Sequence, residues 1–277
     1  MHTVTANGAI IPALGFGTFR MSGVEVLKIV PHALKVGFRH VDTAQIYGNE
    51  AEVGDAIAVS GVARGDIFLT TKVWVENYKY DAFVKSVDGS LKKLKTEYVD
   101  LLLLHWPNEY VSLSEQIGAL NEVQQTGKVR HIGVSNFSTA LMAESIKLSK
   151  TPLVTNQIEY HPYLNQDVVL AAAKDAGMSM TGYYAMADGK VFSDPLLNDI
   201  GAKHGKSVAQ VVLRWLIQQE GVVALSKTVG EARVVENFAV FDFALSVDEM
   251  AAISGLAASD GRIVSPQGLA PVWDRAA

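Results

Sequence analysis

The sequence contains no cysteine. That excludes a disulfide framework, a Cys-ligated zinc or iron–sulfur centre and a thiol nucleophile. An excess of charge is missing as well: 24 Lys and Arg stand against 29 Asp and Glu, a net charge of -5. A chain this mildly acidic is a poor match for a phosphate backbone, so no nucleic-acid partner is expected. Nor is there a run of about 18 apolar residues that could span a bilayer. The densest run, residues 99–106, is short and carries Asp100, so no membrane partner is expected. The opening residues show no basic region followed by an apolar one, as a secretory signal would. A soluble, cytoplasmic protein is the expectation. His-Glu-x-x-His and close histidine pairs are absent among the seven histidines, so no metal is expected.

What the chain does have is hydrophobic residues, 49% of the total against 19% charged, which argues for a large core and against disorder. Its 277 residues exceed the roughly 150 of an average domain, yet one α/β barrel fills about 250. Thr3-Val4-Thr5 and Ala9-Ile10-Ile11 flank Asn7-Gly8, a strong hairpin signal. Eight apolar runs follow, at 13–16, 38–41, 67–71, 99–104, 129–134, 153–158, 178–183 and 222–225. They lack strict alternation, as parallel strands buried on both faces do.

Helical periodicity separates the runs. Phe83, Val87, Leu91 and Leu94 share one face, as do Leu113, Ile117, Leu120 and Val123 before Gly127. Asn49 and Ser207 stand where N-caps would, and Pro31 should either delay the first helix or kink it. Eight alternating βα units predict an α/β fold: a (β/α)8 TIM barrel with an N-terminal β-hairpin and an irregular C-terminal loop from residue 256. With no linker or low-complexity tract visible, residues 1–277 read as one domain. A closed barrel has no exposed edge strand, so a monomer is expected.

Two phosphate motifs fail. Gly15-Phe-Gly17-Thr-Phe-Arg20 lacks the third glycine of a dinucleotide fingerprint. Gly201-Ala-Lys-His-Gly205-Lys206-Ser207 is one residue too short for a P-loop and lies between helical patterns. Gly133-Val-Ser135-Asn-Phe137 lacks the last glycine of a nucleophile elbow. What survives is a set of polar residues at strand ends, where barrel enzymes place their chemistry. Asp42 ends the second run, with Tyr47 five residues on; Lys72 ends the third and His105 the fourth. A tyrosine hydroxyl has a pKa of about 10. An ammonium about 4 Å away, at an effective dielectric of ~20, attracts the phenolate by about 4 kcal/mol before desolvation. Lys72 is therefore expected to lower the Tyr47 pKa by more than one unit, with Asp42 aiming Lys72 and His105 positioning a carbonyl oxygen. Tyr47 becomes a general acid.

These segments carry a resemblance. Asp42-x-x-x-x-Tyr47-Gly48-Asn49-Glu50, Thr71-Lys72-Val73-Trp74, Leu104-His105-Trp106-Pro107 and Gly133-Val134-Ser135-Asn136-Phe137 closely resemble the aldo-keto reductases. So do Asn156-Gln157-Ile158-Glu159-Tyr160-His161-Pro162 and Arg233-Val-Val-Glu236-Asn237. The resemblance covers essentially the whole chain and is greatest to the short-loop bacterial branch that includes 2,5-diketo-gluconate reductases. It implies a barrel that reduces carbonyls with NADPH, NADH also being open, and a catalytic tetrad of Asp42, Tyr47, Lys72 and His105. It also implies that Ser135, Asn136 and Gln157 grip the nicotinamide carboxamide, that Tyr183 stacks on the ring, and that Thr18 and Asp42 join the cofactor site. Lys227, Thr228 and Arg233 match the group that binds the adenosine 2′-phosphate, with Glu236 and Asn237 at the adenine. Departures cluster after the seventh strand: Tyr183-Tyr184-Ala185-Met186-Ala187 replaces a Pro- and Gly-containing loop over the pyrophosphate, and Ser226 stands for the usual proline.

Phe19, Trp74, Trp106 and Asn108 lie just beyond strand ends and are candidate walls of the substrate pocket, with Trp273 from the tail. Arg20 could meet a substrate carboxylate. A shallow aromatic mouth suits small aldehydes, α-dicarbonyls and keto sugars. Two other readings stand beside the reductase: an aldolase-like enzyme with Lys72 as Schiff-base lysine, and a cofactor-binding or redox-sensing barrel with negligible turnover.

Overall fold

The computed structural model describes residues 2–274. Strands β1 (Thr3–Ala6) and β2 (Ala9–Pro12) form the antiparallel hairpin. At its tip Asn7 and Gly8 both have positive φ, 43° and 87°, as a two-residue turn twisted to match its strands requires. The Asn7 amide also donates to the carbonyls of Leu153 (2.7 Å) and Ala176 (3.1 Å). The hairpin is thereby fixed to the N-terminal end of the barrel.

The barrel strands are β3 (Leu14–Gly17), β4 (His40–Asp42), β5 (Phe68–Val73), β6 (Val99–Leu104), β7 (Val129–Ser135), β8 (Leu153–Glu159), β9 (Ser179–Tyr183) and β10 (Val222–Ser226). Each overlaps one of the eight apolar runs. All pair in parallel, and β10 closes the ring by pairing with both β9 and β3. Helices α1 (Gly23–Val36), α2 (Glu50–Val59), α3 (Tyr80–Leu94), α4 (Leu113–Gln125), α5 (Thr139–Leu148) and α6 (Asp167–Asp175) each follow one strand. After β9 come α7 (Pro195–His204) and α8 (Val208–Gln218), and after β10 come α9 (Glu231–Phe238) and α10 (Val247–Ser254). The helical patterns on either side of residues 201–207 are α7 and α8, while the sequence pattern did not single out α10. The segment from 255 to 274 has neither helix nor strand, as expected.

Two local expectations are revised. Pro31 does not delay α1, which begins at the Ser22–Glu25 capping box and runs through residue 31. Leu27, whose carbonyl loses its helical bond to a proline at that position, lies on the exposed side, where water can substitute. Asn49 occupies the N-cap position of α2, but its side chain makes no capping bond. It is buried and donates instead to the carbonyls of Thr18 (3.0 Å) and Met21 (3.1 Å), while accepting from Thr43 Oγ1 (3.1 Å). Ser207 does cap α8, in a capping box with Gln210.

Candidate active site

Residues two apart on a strand share a face. On β4 and β5 this stacks two layers: His40 with Thr70 (Nε2 to Oγ1, 3.0 Å), and beyond them Asp42 with Lys72. Lys72 is fully buried, and its ammonium has three N–H donors and three oxygens within reach. These are Asp42 Oδ1 at 2.6 Å, the Thr43 carbonyl at 2.8 Å and the Tyr47 hydroxyl at 3.4 Å. The second carboxylate oxygen of Asp42 accepts from Gln157 Nε2 at 2.8 Å. Tyr47 ends a single 3₁₀ turn (Gln45–Tyr47) closed by Gly48 in the left-handed region, φ 69°. Gln45 holds that turn to the next strand by accepting from the Trp74 backbone N–H (3.0 Å). His105 follows β6, with its ring 5.7 Å from that of Tyr47 and 5.3 Å from that of Trp74, both edge-on. Phe19 packs against Tyr47 in a tilted arrangement, 5.0 Å between centroids.

One electrostatic expectation is overturned. Tyr47 is not pulled down by Lys72; burial pushes its pKa well above 10, and the Asp42 carboxylate adds to the rise. The reason is that Asp42, 2.6 Å from Lys72, offsets the cationic field that was to favour the phenolate. Burial draws Lys72 below the ordinary lysine value, while Asp42 pulls in the opposite direction. Burial, assisted by Lys72, holds His105 well below 6.5. The resting site therefore contains a protonated phenol, a neutral imidazole and a buried ion pair.

A second polar cluster lies on the neighbouring strand ends. Ser135 Oγ donates to the Gln157 carbonyl (2.7 Å), and Asn136 donates to the His105 carbonyl (2.9 Å) and Ser135 Oγ (3.1 Å). Asn136 is buried in the left-handed region at φ 63°, a conformation that needs support from its surroundings. Tyr183 donates its hydroxyl to Asn136 Oδ1 at 2.6 Å. Thr18 is buried, its hydroxyl on the Asp42 carbonyl (3.1 Å). Beyond β10, Lys227 and Arg233 are exposed and make no hydrogen bond or salt bridge among the described residues. Thr228 Oγ1 accepts from the Gly230 N–H (3.2 Å). Glu236 accepts from Ser207 Oγ (2.5 Å), and Asn237 donates to Ser226 Oγ (3.0 Å), so the serine that departs from the family pattern gains a partner.

Arg20 does not stand free for a substrate carboxylate. It donates to the Tyr184 hydroxyl (3.3 Å) and lies 3.8 Å from Asp188. Tyr184, Ala187 and Asp188 all have positive φ, in the segment following β9. Of the candidate walls, Phe19 and Trp74 flank Tyr47 and His105 as described, and Trp106 stands edge-on to Trp273 at 6.3 Å. Asn108 has its side-chain oxygen committed to its own loop, accepting from the N–H groups of Tyr110 (2.8 Å) and Val111 (3.1 Å). The sequence reading missed the Thr43 carbonyl under Lys72 and gave no role to Glu159. The signal for Glu159 was present: a carboxylate ending an apolar run, as at Asp42.

The profile of the aldo/keto reductase family matches residues 13–258. The chain belongs to that family. It is an oxidoreductase that reduces carbonyl groups. It is 43% identical over 267 residues to the methylglyoxal reductase DkgB of Escherichia coli O157:H7, covering 95% of this chain and 99% of that one. A crystal structure of a protein provisionally assigned as a 2,5-diketo-D-gluconic acid reductase B superposes with a TM-score of 0.98 at 67% identity, covering 99% of this chain and 98% of the other. The aldo-keto reductase AKR2E4 of Bombyx mori, in complex with NADP, superposes at 0.87 with 32% identity over 92% of each chain. Among the described residues no helix is long and apolar enough to cross a membrane, and no His, Asp and Glu cluster could hold a metal ion.

Proposed function

We propose that this aldo-keto reductase uses NADPH to reduce small aldehydes, α-dicarbonyls or keto sugars to alcohols, with Tyr47 as the general acid. The observation that carries the assignment is the saturated Lys72 ammonium, tied at once to Asp42, Thr43 and Tyr47 at the mouth of the barrel. The polar cluster fits a nicotinamide: Ser135, Asn136 and Gln157 offer amide and hydroxyl groups for a carboxamide, with Tyr183 beside them. The unpartnered Lys227 and Arg233, with Thr228 at the start of α9, fit a phosphate. When bound, NADPH supplies the hydride that goes to the carbonyl carbon.

The chain's own residues do the rest. His105, neutral, can donate a hydrogen bond to the carbonyl oxygen and orient it. Tyr47 holds its proton at rest and transfers it from Oη to that oxygen as negative charge develops there. Lys72, 3.4 Å from Oη, then faces a phenolate, and the attraction grows as the proton leaves. Asp42 and the Thr43 carbonyl keep the ammonium aimed. A Schiff-base role for Lys72 finds no support, because its Nζ is fully buried and every donor is engaged.

Kinetics of Tyr47→Phe test this. NADPH oxidation with methylglyoxal should fall by about 10²–10⁴-fold, the contribution of a positioned acid. NADPH binding, read by quenching of tryptophan fluorescence, should stay within about twofold. Substantial residual turnover would remove Tyr47 from the role. Binding without turnover in the parent protein, across a panel of small carbonyls, would replace the reductase by a cofactor-binding barrel.

A further inference from the structure

Residues 255–274, beyond α10, have no regular hydrogen-bond ladder, yet they are anchored at two places. The first begins where the Ala258 N–H meets the Tyr163 carbonyl (3.1 Å). At Gly261 the backbone passes so close that a β-carbon would lie 1.7 Å from the Tyr163 oxygen, which only glycine tolerates. The next residues turn their N–H groups inward. Ile263 donates to Glu159 Oε1 (2.7 Å) and Val264 to Oε2 (2.9 Å). Glu159 ends β8 and is fully buried; His161 Nε2 (3.0 Å) and the Arg262 guanidinium (3.6 Å) complete its surroundings. The second anchor is Asp274, which accepts from the Thr139 N–H (2.9 Å) and hydroxyl (2.6 Å) at the start of α5. Between the anchors, the guanidinium of Arg262 lies over the Trp273 ring at 3.7 Å, and Trp273 stands against Trp106.

A carboxylate buried at a strand end must be met by donors or a cation. Here the tail satisfies Glu159 with two N–H groups, and Arg262 Nη1, buried 3.6 Å away, adds a positive charge without a hydrogen bond. Glu159 makes no hydrogen bond to Asp42, Tyr47, Lys72 or His105; apart from its strand pairing with Tyr183, its side chain is bound by the tail and by His161. We propose that Glu159 is a positioning residue that latches the tail across the C-terminal face of the barrel and thereby sets the Trp106–Trp273 wall that recognises the carbonyl substrate. This rests on the reductase reading above and extends it to a residue outside cofactor binding and proton transfer.

Glu159→Gln is the test. The amide keeps the volume but offers one oxygen, so one tail N–H loses its acceptor and Arg262 its counter-charge. At saturating NADPH, KM for methylglyoxal and for 4-nitrobenzaldehyde should rise about tenfold or more, the scale of a displaced substrate contact. NADPH affinity should stay within about twofold, and kcat should change less than KM. Trypsin should cut after Arg262 in the variant and spare that bond in the parent protein. Val264→Pro removes one tail donor without touching the barrel, and should raise KM likewise even where Glu159→Gln fails to fold. An unchanged KM with a freed tail would overturn the recognition role, and an uncut tail with unchanged KM would overturn the latch. A parent protein inert toward every carbonyl would sink the reductase reading instead, while protection from trypsin still decides whether Glu159 holds the tail.

Discussion

Lys72 and Arg233 show two opposite uses of a cation. Lys72 is fully buried, and its charge is tolerated because three oxygens surround it; the same enclosure keeps Tyr47 protonated at any ordinary pH. Arg233 is exposed and has no protein partner among the described residues, so its guanidinium is available to a ligand anion. Replacing Arg233 with Ala should weaken NADPH by about tenfold, in line with the ~1.5 kcal/mol or more of one hydrogen bond to a charged group. NADH, which lacks the 2′-phosphate, should be affected by no more than about twofold, and raising the ionic strength should narrow the gap between the two cofactors. Equal weakening of both, in parallel fluorescence titrations, would remove Arg233 from the phosphate site.

Helices and turns act here as carriers of particular side chains. The turn bearing Tyr47 is fastened on one side by Gln45 to Trp74, and the Asn49 amide just beyond it reaches the carbonyls of the β3–α1 loop. Close helix packing holds the layer behind. Gly54 in α2 faces the end of α3, where a β-carbon would lie 2.6 Å from the Leu94 carbonyl carbon and the Lys93 oxygen. Alanine is the better helix former by about 1 kcal/mol, but overpacking against a rigid backbone costs about 1–3 kcal/mol or more. Gly54→Ala is therefore expected to lower stability by about 1–2 kcal/mol, measured by urea unfolding. A gain would mean that α2 and α3 separate readily. The cap at Ser207 and the Asn7-Gly8 turn were legible beforehand because each depends on residues three or fewer positions apart. Asn49 stands at the N-cap position as read, but what its side chain bonds was not legible, because it answers to the carbonyls of Thr18 and Met21, 31 and 28 positions away.

The whole barrel couples its stability to pH through groups enclosed in it. His40 lies in the layer beneath Asp42 and Lys72, with Nδ1 buried and unpartnered, and burial pushes its pKa down to about 4. In the unfolded chain an imidazole titrates near 6.5. Between those values the unfolded state binds the proton and the folded state does not, so stability is full above about pH 6.5 and falls as the pH drops toward 4. At about 1.36 kcal/mol per unit, the 2.5-unit interval amounts to about 3 kcal/mol. Urea unfolding at pH 7.5 and 4.5 should show a smaller loss for His40→Gln than for the parent protein; an equal loss would assign the slope to other groups. The sequence by itself determined the eight strands, the hairpin and the strand-end positions of Asp42, Lys72 and His105, because burial on both faces and a polar residue at the end of an apolar run are local patterns. Only the tertiary structure decided the upward shift of Tyr47, the engagement of Arg20 by Tyr184 and the grip of Glu159 on Val264. Each depends on which groups are excluded from water together, and residues 105 positions apart acquire that relation only when the barrel closes.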